Sequence, residues 1–322
     1  MKSLAIAVLV LALAAPASKA HAADPAWPPK IVKIIVPYAP GSTPDLVGRI
    51  VADDLQVRHP GASFIVENKP GAGGNIAADI VARAKPDGYT LMIITNGMVA
   101  VNPLIHRQLG YDAFRDFAYV SMIASTPLVL VVPESSPVKD LPSLIGRART
   151  QPEAISFASS GQGTSIHQVF ALLQKETGTS LMHVPYKSGA EAATALLSGV
   201  VDVTAVETVV VGPFVQSGKM RALGVTSSKP VPNLPEVPVA SAGLGAEFDV
   251  GSISGLVAPA ATPASILAAL ERAMQVVAQS DGMAQLYAQG SQPMPTGSRV
   301  FQERMRQEEA KWRRVFAGDP AK

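Results

Sequence analysis

The densest group of potentially reactive side chains is the stretch "ASSGQGTSIH", residues 158–167. It places Ser159, Ser160 and Ser165 within eight residues of His167. A hydroxyl beside an imidazole is the beginning of a nucleophile–base pair. The supporting pattern for hydrolysis is missing. No G-x-S-x-G elbow occurs, and no carboxylate is marked as a third member. Nucleotide chemistry fares no better. "GAG", "GQG" and "GLG" each open a G-x-G, but Ile76, Ile166 and Phe248 stand where the third glycine belongs, and there is no G-x-x-x-x-G-K-[ST]. His59, His106 and His183 share no metal-ligand spacing and the chain has no cysteine, so neither a metal nor a cofactor is expected.

What recurs is an elbow. "VPYAPGST" (36–43), "NKPGAGGN" (68–75), "ITNGM" (94–98), "ASSGQGTSIH" (158–167) and "VPYKSGAE" (184–191) each follow a strand-like run. Each is rich in Gly, Ser, Thr, Asn or Pro and leads toward a helix. Helix N-termini present unpaired N–H groups and the positive end of a dipole. Glycine lets the backbone come close to a ligand. Gathered at the carboxyl edge of a parallel sheet, such elbows make an anion site without Lys or Arg. Taken singly, each elbow is better explained as a helix cap.

The elements that must gather them alternate. "KIVKIIVPY" (30–38), "SFIVENK" (63–69) and "TLMIITN" (90–96) read as strands. Helices over 44–58 and 75–84 separate them, the first with Leu46, Val47, Ile50, Val51 and Leu55 on one face. This order predicts a parallel sheet covered on both sides. A second set follows: strands at 128–133, 154–160, 181–186, 200–207 and 221–227, with helices over 165–178 and 189–198. Gly178 ends the first of those helices. Farther on, 262–280 reads as a helix with Thr262 as N-cap and Pro263 in its first turn. A terminal helix over 297–317 carries Phe301, Met305, Trp312 and Phe316. "YVSMIAST" (119–126) and "FDVGSISG" (248–255) are expected to cross between two α/β lobes. The expected division is 23–123 with 252–322, against 124–251.

The N-terminus has the form of a secretory signal peptide. Lys2 precedes "LAIAVLVLALAA", and "AHA" (20–22) supplies a small-residue cleavage site, predicting a cut near Ala22/Ala23. Removing residues 1–22 deletes Lys2 and Lys19 and no acid, taking the formal charge from +2 to 0. A neutral mature chain without a basic run argues against nucleic acid as partner. Without cysteine no disulfide is available, so a large core must hold the fold. A monomer is expected.

Read in order, "VPYAPGSTPDLVGR", "VENKPGAGGNIAADIVARAKPDGYTL", "NPLIHRQLGYDAFRDFAYVSMIA", "SSGQGTSIH" and "HVPYKSGAEAATALLSGVVD" resemble the solute receptors of tripartite tricarboxylate transporters, the TctC/Bug type. The resemblance covers nearly the whole mature chain. It implies a periplasmic binding protein of the two-lobed, type II-like Venus-flytrap kind: α/β, each lobe a mainly parallel sheet flanked by helices, with two crossing strands. It implies no enzymatic activity. The partners it implies are a small carboxylate-bearing solute and the permease subunits of a membrane transporter. Further readings are a sensing module for a two-component system and, last, a secreted hydrolase.

By position, the resemblance assigns Tyr38, Ala39, Pro40, Gly41, Ser42 and Thr43 to the carboxylate-holding loop, with Asn96 and Gly97 lining the same lobe. From the second lobe it assigns Ser159, Ser160, Gly161, Gly163, Thr164 and His167, then Tyr186, Lys187 and Ser188, and Asp202 in a G-x-x-D. Asp45 is expected to pair with the helix start rather than the ligand. Two positions depart from the family. Ser42 stands where a second glycine is common, and Glu207 where many relatives have a neutral residue. An acid facing the cleft would repel a second carboxylate or favour an amine or hydroxyl. An acid facing solvent would do neither.

Overall fold

The computed structural model describes residues 27–28, 30–245 and 248–316. The expected signal peptide lies outside the described residues. The first half runs β1 (Ile31–Val36), α1 (Thr43–Arg58), β2 (Ser63–Asn68), α2 (Asn75–Ala82), β3 (Thr90–Thr95), a π-helical turn (Gly97–Val101) and α3 (Asn102–Ile105). Then come β4 (Phe117–Pro133), α4 (Leu141–Thr150), β5 (Ser156–Ser159), α5 (Ser165–Thr177), β6 (Met182–Pro185), α6 (Gly189–Leu197) and β7 (Val203–Glu207). The chain closes with α7 (Thr208–Gln216), β8 (Met220–Val225), α8 (Ser241–Leu244), β9 (Gly251–Pro259), α9 (Ala264–Val277), α10 (Asp281–Ala288), β10 (Gln292–Gly297) and α11 (Ser298–Phe316).

Strand β1 pairs in parallel with β2 and β3, and β5 pairs in parallel with β6 and β7. Two antiparallel strands join these groups. Strand β9 pairs with β3 and with the first part of β4, and the last part of β4 pairs with β7 and β8. The two segments expected near 119–126 and 128–133 are thus one strand of 17 residues, continuous through Pro127. The sheet order is β2-β1-β3-β9-β4-β7-β5-β6, with β10 and β8 also on β4.

The hydrophobic pattern explains the layers. Helix α1 buries Val47, Val51 and Leu55, and packs with Leu270 and Met274 of α9 on one face of the first group. The other face packs on Ala77, Ala78 and Val81 of α2 with Met98. A third core gathers β4–β7 with α5 and α6 around Phe157 and Phe170. Helix α11 serves two of these cores. Phe301 and Met305 join the α2 face, whereas Trp312 and Phe316 join the core around Phe157.

The expected N-cap at Thr262 is corrected by one residue. Its amide and hydroxyl both bond the Pro259 carbonyl, at 3.0 and 2.7 Å, closing a turn so that Pro263 becomes the cap. The helix also ends early, because Ser280 caps a separate helix, α10, by accepting from Met283 N. Strand β10 reads poorly from sequence because "QPMPTG" carries two prolines. Among the described residues it pairs only with β4, and its register shifts between Pro293 and Thr296.

Candidate ligand-binding site

The carboxyl ends of β1, β2, β5 and β6 open onto one crevice. Its outer chamber is about 450 Å³, lined by Tyr38, the Gly71–Gly74 turn, His106, Ser160, Gly161, Gln162, Pro185, Tyr186, Lys187 and Glu191. Past Tyr38 and Ser160 lies an inner chamber of about 10 Å³, also lined by Ser42, Pro44, Thr95, Ser165, Gly189, Glu207 and Ser252.

The walls meet backbone to backbone. Ala39 N donates to the Lys187 carbonyl at 3.4 Å. A Cβ on Gly73 (φ +62°) would stand 2.4 Å from the Gln162 carbonyl oxygen, and one on Gly97 2.5 Å from that of Gly163. No side chain fits at either contact, which is what these glycines are for.

Among the expected site residues, Tyr38, Ser42, Ser160, Gly161, Tyr186, Lys187 and Glu207 line the two chambers. Glu207 faces inward. It is 6% exposed, and its Oε1 accepts from Ser165 Oγ at 3.3 Å. Burial pushes its carboxyl above the ordinary range, against the opposing pull of its own amide, Ser252 and Ser165. Burial likewise raises the Tyr38 phenol to about 12, with the Thr95 hydrogen bond opposing and Glu207 adding to the rise. Its hydroxyl lies 3.1 Å from Thr95 Oγ1. Ser42 caps α1 by position, but its hydroxyl makes no cap bond. Ser42 Oγ and Thr43 Oγ1 are both buried without a hydrogen-bond partner.

Around them the loop is framed, not lined. Ala39 is half-buried, Pro40 and Gly41 are exposed, and Thr43 lies beneath. Asp45, expected to pair with the helix start, sits in the first turn of α1 and bonds the loop and two neighbouring side chains. Its carboxylate accepts from Gly41 N at 3.0 Å, Asn68 Nδ2 at 2.8 Å and the Arg49 guanidinium. Burial alone would raise its carboxyl, but these bonds outweigh that and hold it below the usual range. Ser188 is the N-cap of α6, accepting from Glu191 N.

Several expected site residues are taken up by the fold. Asn96 bridges the β9 backbone, Nδ2 donating to Gly251 O and Oδ1 accepting from Ile253 N, both at 3.2 Å. Ser159 is fully buried, with Oγ 2.6 Å from His183 Nε2. The serine–histidine contact therefore involves His183, beneath the loop. Thr164 Oγ1 donates to the Gly161 carbonyl at 2.7 Å. Gly163 (φ +82°) packs on Asn102. His167 Nδ1 accepts from Gly163 N at 3.3 Å, and its ring sits among Phe157, His183 and Phe316. Burial, helped by His183, drives its pKa down to about 3, so it is neutral. Asp202 lies at the opposite end of β7, about 17 Å from Glu207 at roughly 3.3 Å per residue. There it clamps Ser156, accepting from both N and Oγ at 2.8 and 2.7 Å.

Sequence reasoning missed His106, whose Nε2 is buried without a partner and whose imidazole is lowered by burial. It also assigned no residue from the Gly71–Gly74 turn, although that elbow has the same form as the others. Ser252 sits on crossing strand β9 and carried no signal at all.

The family model for the tripartite tricarboxylate transporter family receptor, TctC, matches residues 47–317. This chain belongs to that family. The receptor is 33% identical over 313 residues to a Pseudomonas UPF0065 protein from a tcbD–tcbE intergenic region, spanning 97% of this chain and 92% of that one. Its structure is similar to that of R. palustris Rpa4515 with adipate, at TM-score 0.85 and 34% identity over 90% of this chain and 97% of that one. MatC from Rhodopseudomonas palustris with bound malate matches at TM-score 0.83 and 30% identity, over 90% of this chain and all of the other. The receptor has the α/β fold of periplasmic binding proteins.

Proposed function

We propose that this receptor captures a small carboxylate-bearing solute in the crevice and delivers it to the permease subunits of a tripartite tricarboxylate-type transporter. The observation that carries the reading is the outer chamber. Loops from β1, β2, β5 and β6 meet there, with a glycine-rich turn on one side and Lys187 on the other. Rpa4515 holds adipate and MatC holds malate, both small carboxylates, and a small carboxylate-bearing solute is what this chamber would take. Tyr38, Ser160, Gly161, Tyr186 and Lys187 would contact it, and Ser42 and Glu207 would face its far end. Each hydrogen bond to the charged group contributes roughly 1.5–3 kcal/mol.

On this reading the chain is exported, loses residues 1–22 near Ala22/Ala23, and works in the periplasm as a monomer without catalysing a reaction. Residues 23–123 with 252–322 form one lobe and 124–251 the other, and rotation about β4 and β9 opens and closes the crevice. Helix α11, packed into both cores, limits that rotation.

Thermal unfolding against a panel of mono-, di- and amino-carboxylates of three to eight carbons tests the proposal. A true solute at about a hundred times its Kd adds roughly 2.7 kcal/mol of stability. A panel in which no carboxylate raises the melting temperature would overturn it.

A further inference from the structure

The two chambers differ in charge and in size. Lys187 and the acid Glu191 both line the outer one, whereas the inner one has no cationic side chain and ends on Glu207. The inner volume, about 10 Å³, is the space of roughly one water-sized group. A carboxylate has three heavy atoms and does not fit, and its charge would further oppose ionisation of the buried Glu207, which an ammonium beside it would favour. An ammonium is the size of a water and donates hydrogen bonds. Glu207 can accept from it, as can the hydroxyl oxygens of Ser42 (buried and without a partner), Ser165, Ser252 and Tyr38. The positive dipole end of α1 lies close by, but Asp45 in its first turn offsets it.

We infer that the inner chamber is a subsite for a single protonated amine, so that the solute is an amino-carboxylate bound with its ammonium at Glu207 and its carboxylate toward Lys187. This rests on the carboxylate-capture reading and deepens it. Lys187 and Glu207 then read the two ends of a zwitterion. The length between them, set by the outer chamber, limits the chain. Glu207 acts by selecting, through an acceptor that a plain diacid cannot satisfy.

Calorimetric titration of the full mature protein with matched pairs tests this: succinate with 4-aminobutanoate, glutarate with 5-aminopentanoate, and adipate with 6-aminohexanoate. In the native protein the amino acid of the best-fitting pair binds at least tenfold tighter than its diacid. In Glu207→Gln that ratio falls below about threefold or inverts, with folding checked by its melting temperature. A native protein that binds the diacid equally or better overturns the amine subsite while leaving carboxylate capture standing. A folded Glu207→Gln that keeps the native ratio also overturns it. If no member of any pair binds, carboxylate capture itself fails and the subsite falls with it. Lys187→Ala separates the two ends, since it weakens both members of a pair alike. Should Glu207→Gln not fold, the native ratio alone decides.

Discussion

The loops after β1 and β3 leave neighbouring parallel strands at the same edge of the sheet and draw on the same residue types. They do opposite work. After β3, both polar atoms of Asn96 hold the β9 backbone, and Gly97 lies against the Gly163 carbonyl. In effect Asn96 carries the β3–β9 ladder one step past its last pair, Thr95 with Ser254. After β1, the hydroxyls of Ser42 and Thr43 are buried and bonded to nothing in the protein. The loop beginning at Ser159 behaves like the β3 loop: Ser159, Thr164 and His167 are all engaged internally. The contrast is one of pairing. The polar atoms of Asn96, Ser159, Thr164 and His167 are already paired within the fold, whereas burial has left the Ser42 hydroxyl unpaired at the crevice, which is costly unless something else satisfies it.

The strongest challenge to the paired side is Gly163→Ala. The new Cβ would stand 2.0 Å from Asn102 Oδ1, in a left-handed backbone conformation. Strain and overpacking together cost roughly 2–5 kcal/mol. Urea unfolding should show a loss of this size, and a loss under about 1 kcal/mol would mean that the 161–164 turn is not the rigid wall described. Asn96→Ala comes next. It strips a partner from the Gly251 carbonyl and the Ile253 amide, at about 1–3 kcal/mol for each buried group left unsatisfied. Stability should drop by roughly 2–4 kcal/mol. A near-neutral Asn96→Ala combined with a large fall in solute affinity would move Asn96 back into the binding site.

The same contrast separates what the sequence could and could not reveal. Alternation of strand and helix, the α1 face of Val47, Val51 and Leu55, and the left-handed Gly178 after α5 follow from local periodicity and backbone preference, and all are present. The elbows were legible as a set, because each needs glycine or a short polar residue where a strand turns into a helix. Their allotment to ligand or fold was not. Ser159 and Ser160 are adjacent and chemically identical, yet one bonds His183 and the other lines the crevice, and that depends on a histidine 24 residues away. Asp202 carried a family-like pattern yet sits at the far end of its strand. Position along β7, not residue type, puts Glu207 in the crevice and Asp202 on Ser156.

His167 gives a pH test of the paired region. Its folded pKa, about 3, lies below the ordinary histidine value of 6.5. The folded state therefore binds fewer protons than the unfolded chain between these values. Stability is complete above pH 6.5 and declines as pH falls toward 3. Near pH 5 the loss from this one group is about 2 kcal/mol, at 1.36 kcal/mol per pH interval below 6.5. His167→Gln, whose side-chain oxygen can accept from Gly163 N, should flatten the acid limb between pH 6.5 and 4. An unchanged limb would place the acid sensitivity elsewhere, with His183, which burial also lowers, as the next group to replace.

The smallest expected stability change is the sharpest test of the unpaired side. Ser42→Ala removes a buried hydroxyl that has no protein partner and makes no cap bond to α1. The usual cost of losing an N-cap, about 1 kcal/mol, should therefore be absent. Stability should stay within about 0.5 kcal/mol of the native value, or rise slightly as an unsatisfied group leaves the interior. Solute affinity should fall severalfold in the same variant, because the hydroxyl's one remaining task is at the inner chamber. Paired measurements of unfolding and of solute Kd on Ser42→Ala check both halves. A stability loss of 1–2 kcal/mol with unchanged affinity would show that Ser42 serves α1 after all, and the division between the β1 and β3 loops would disappear.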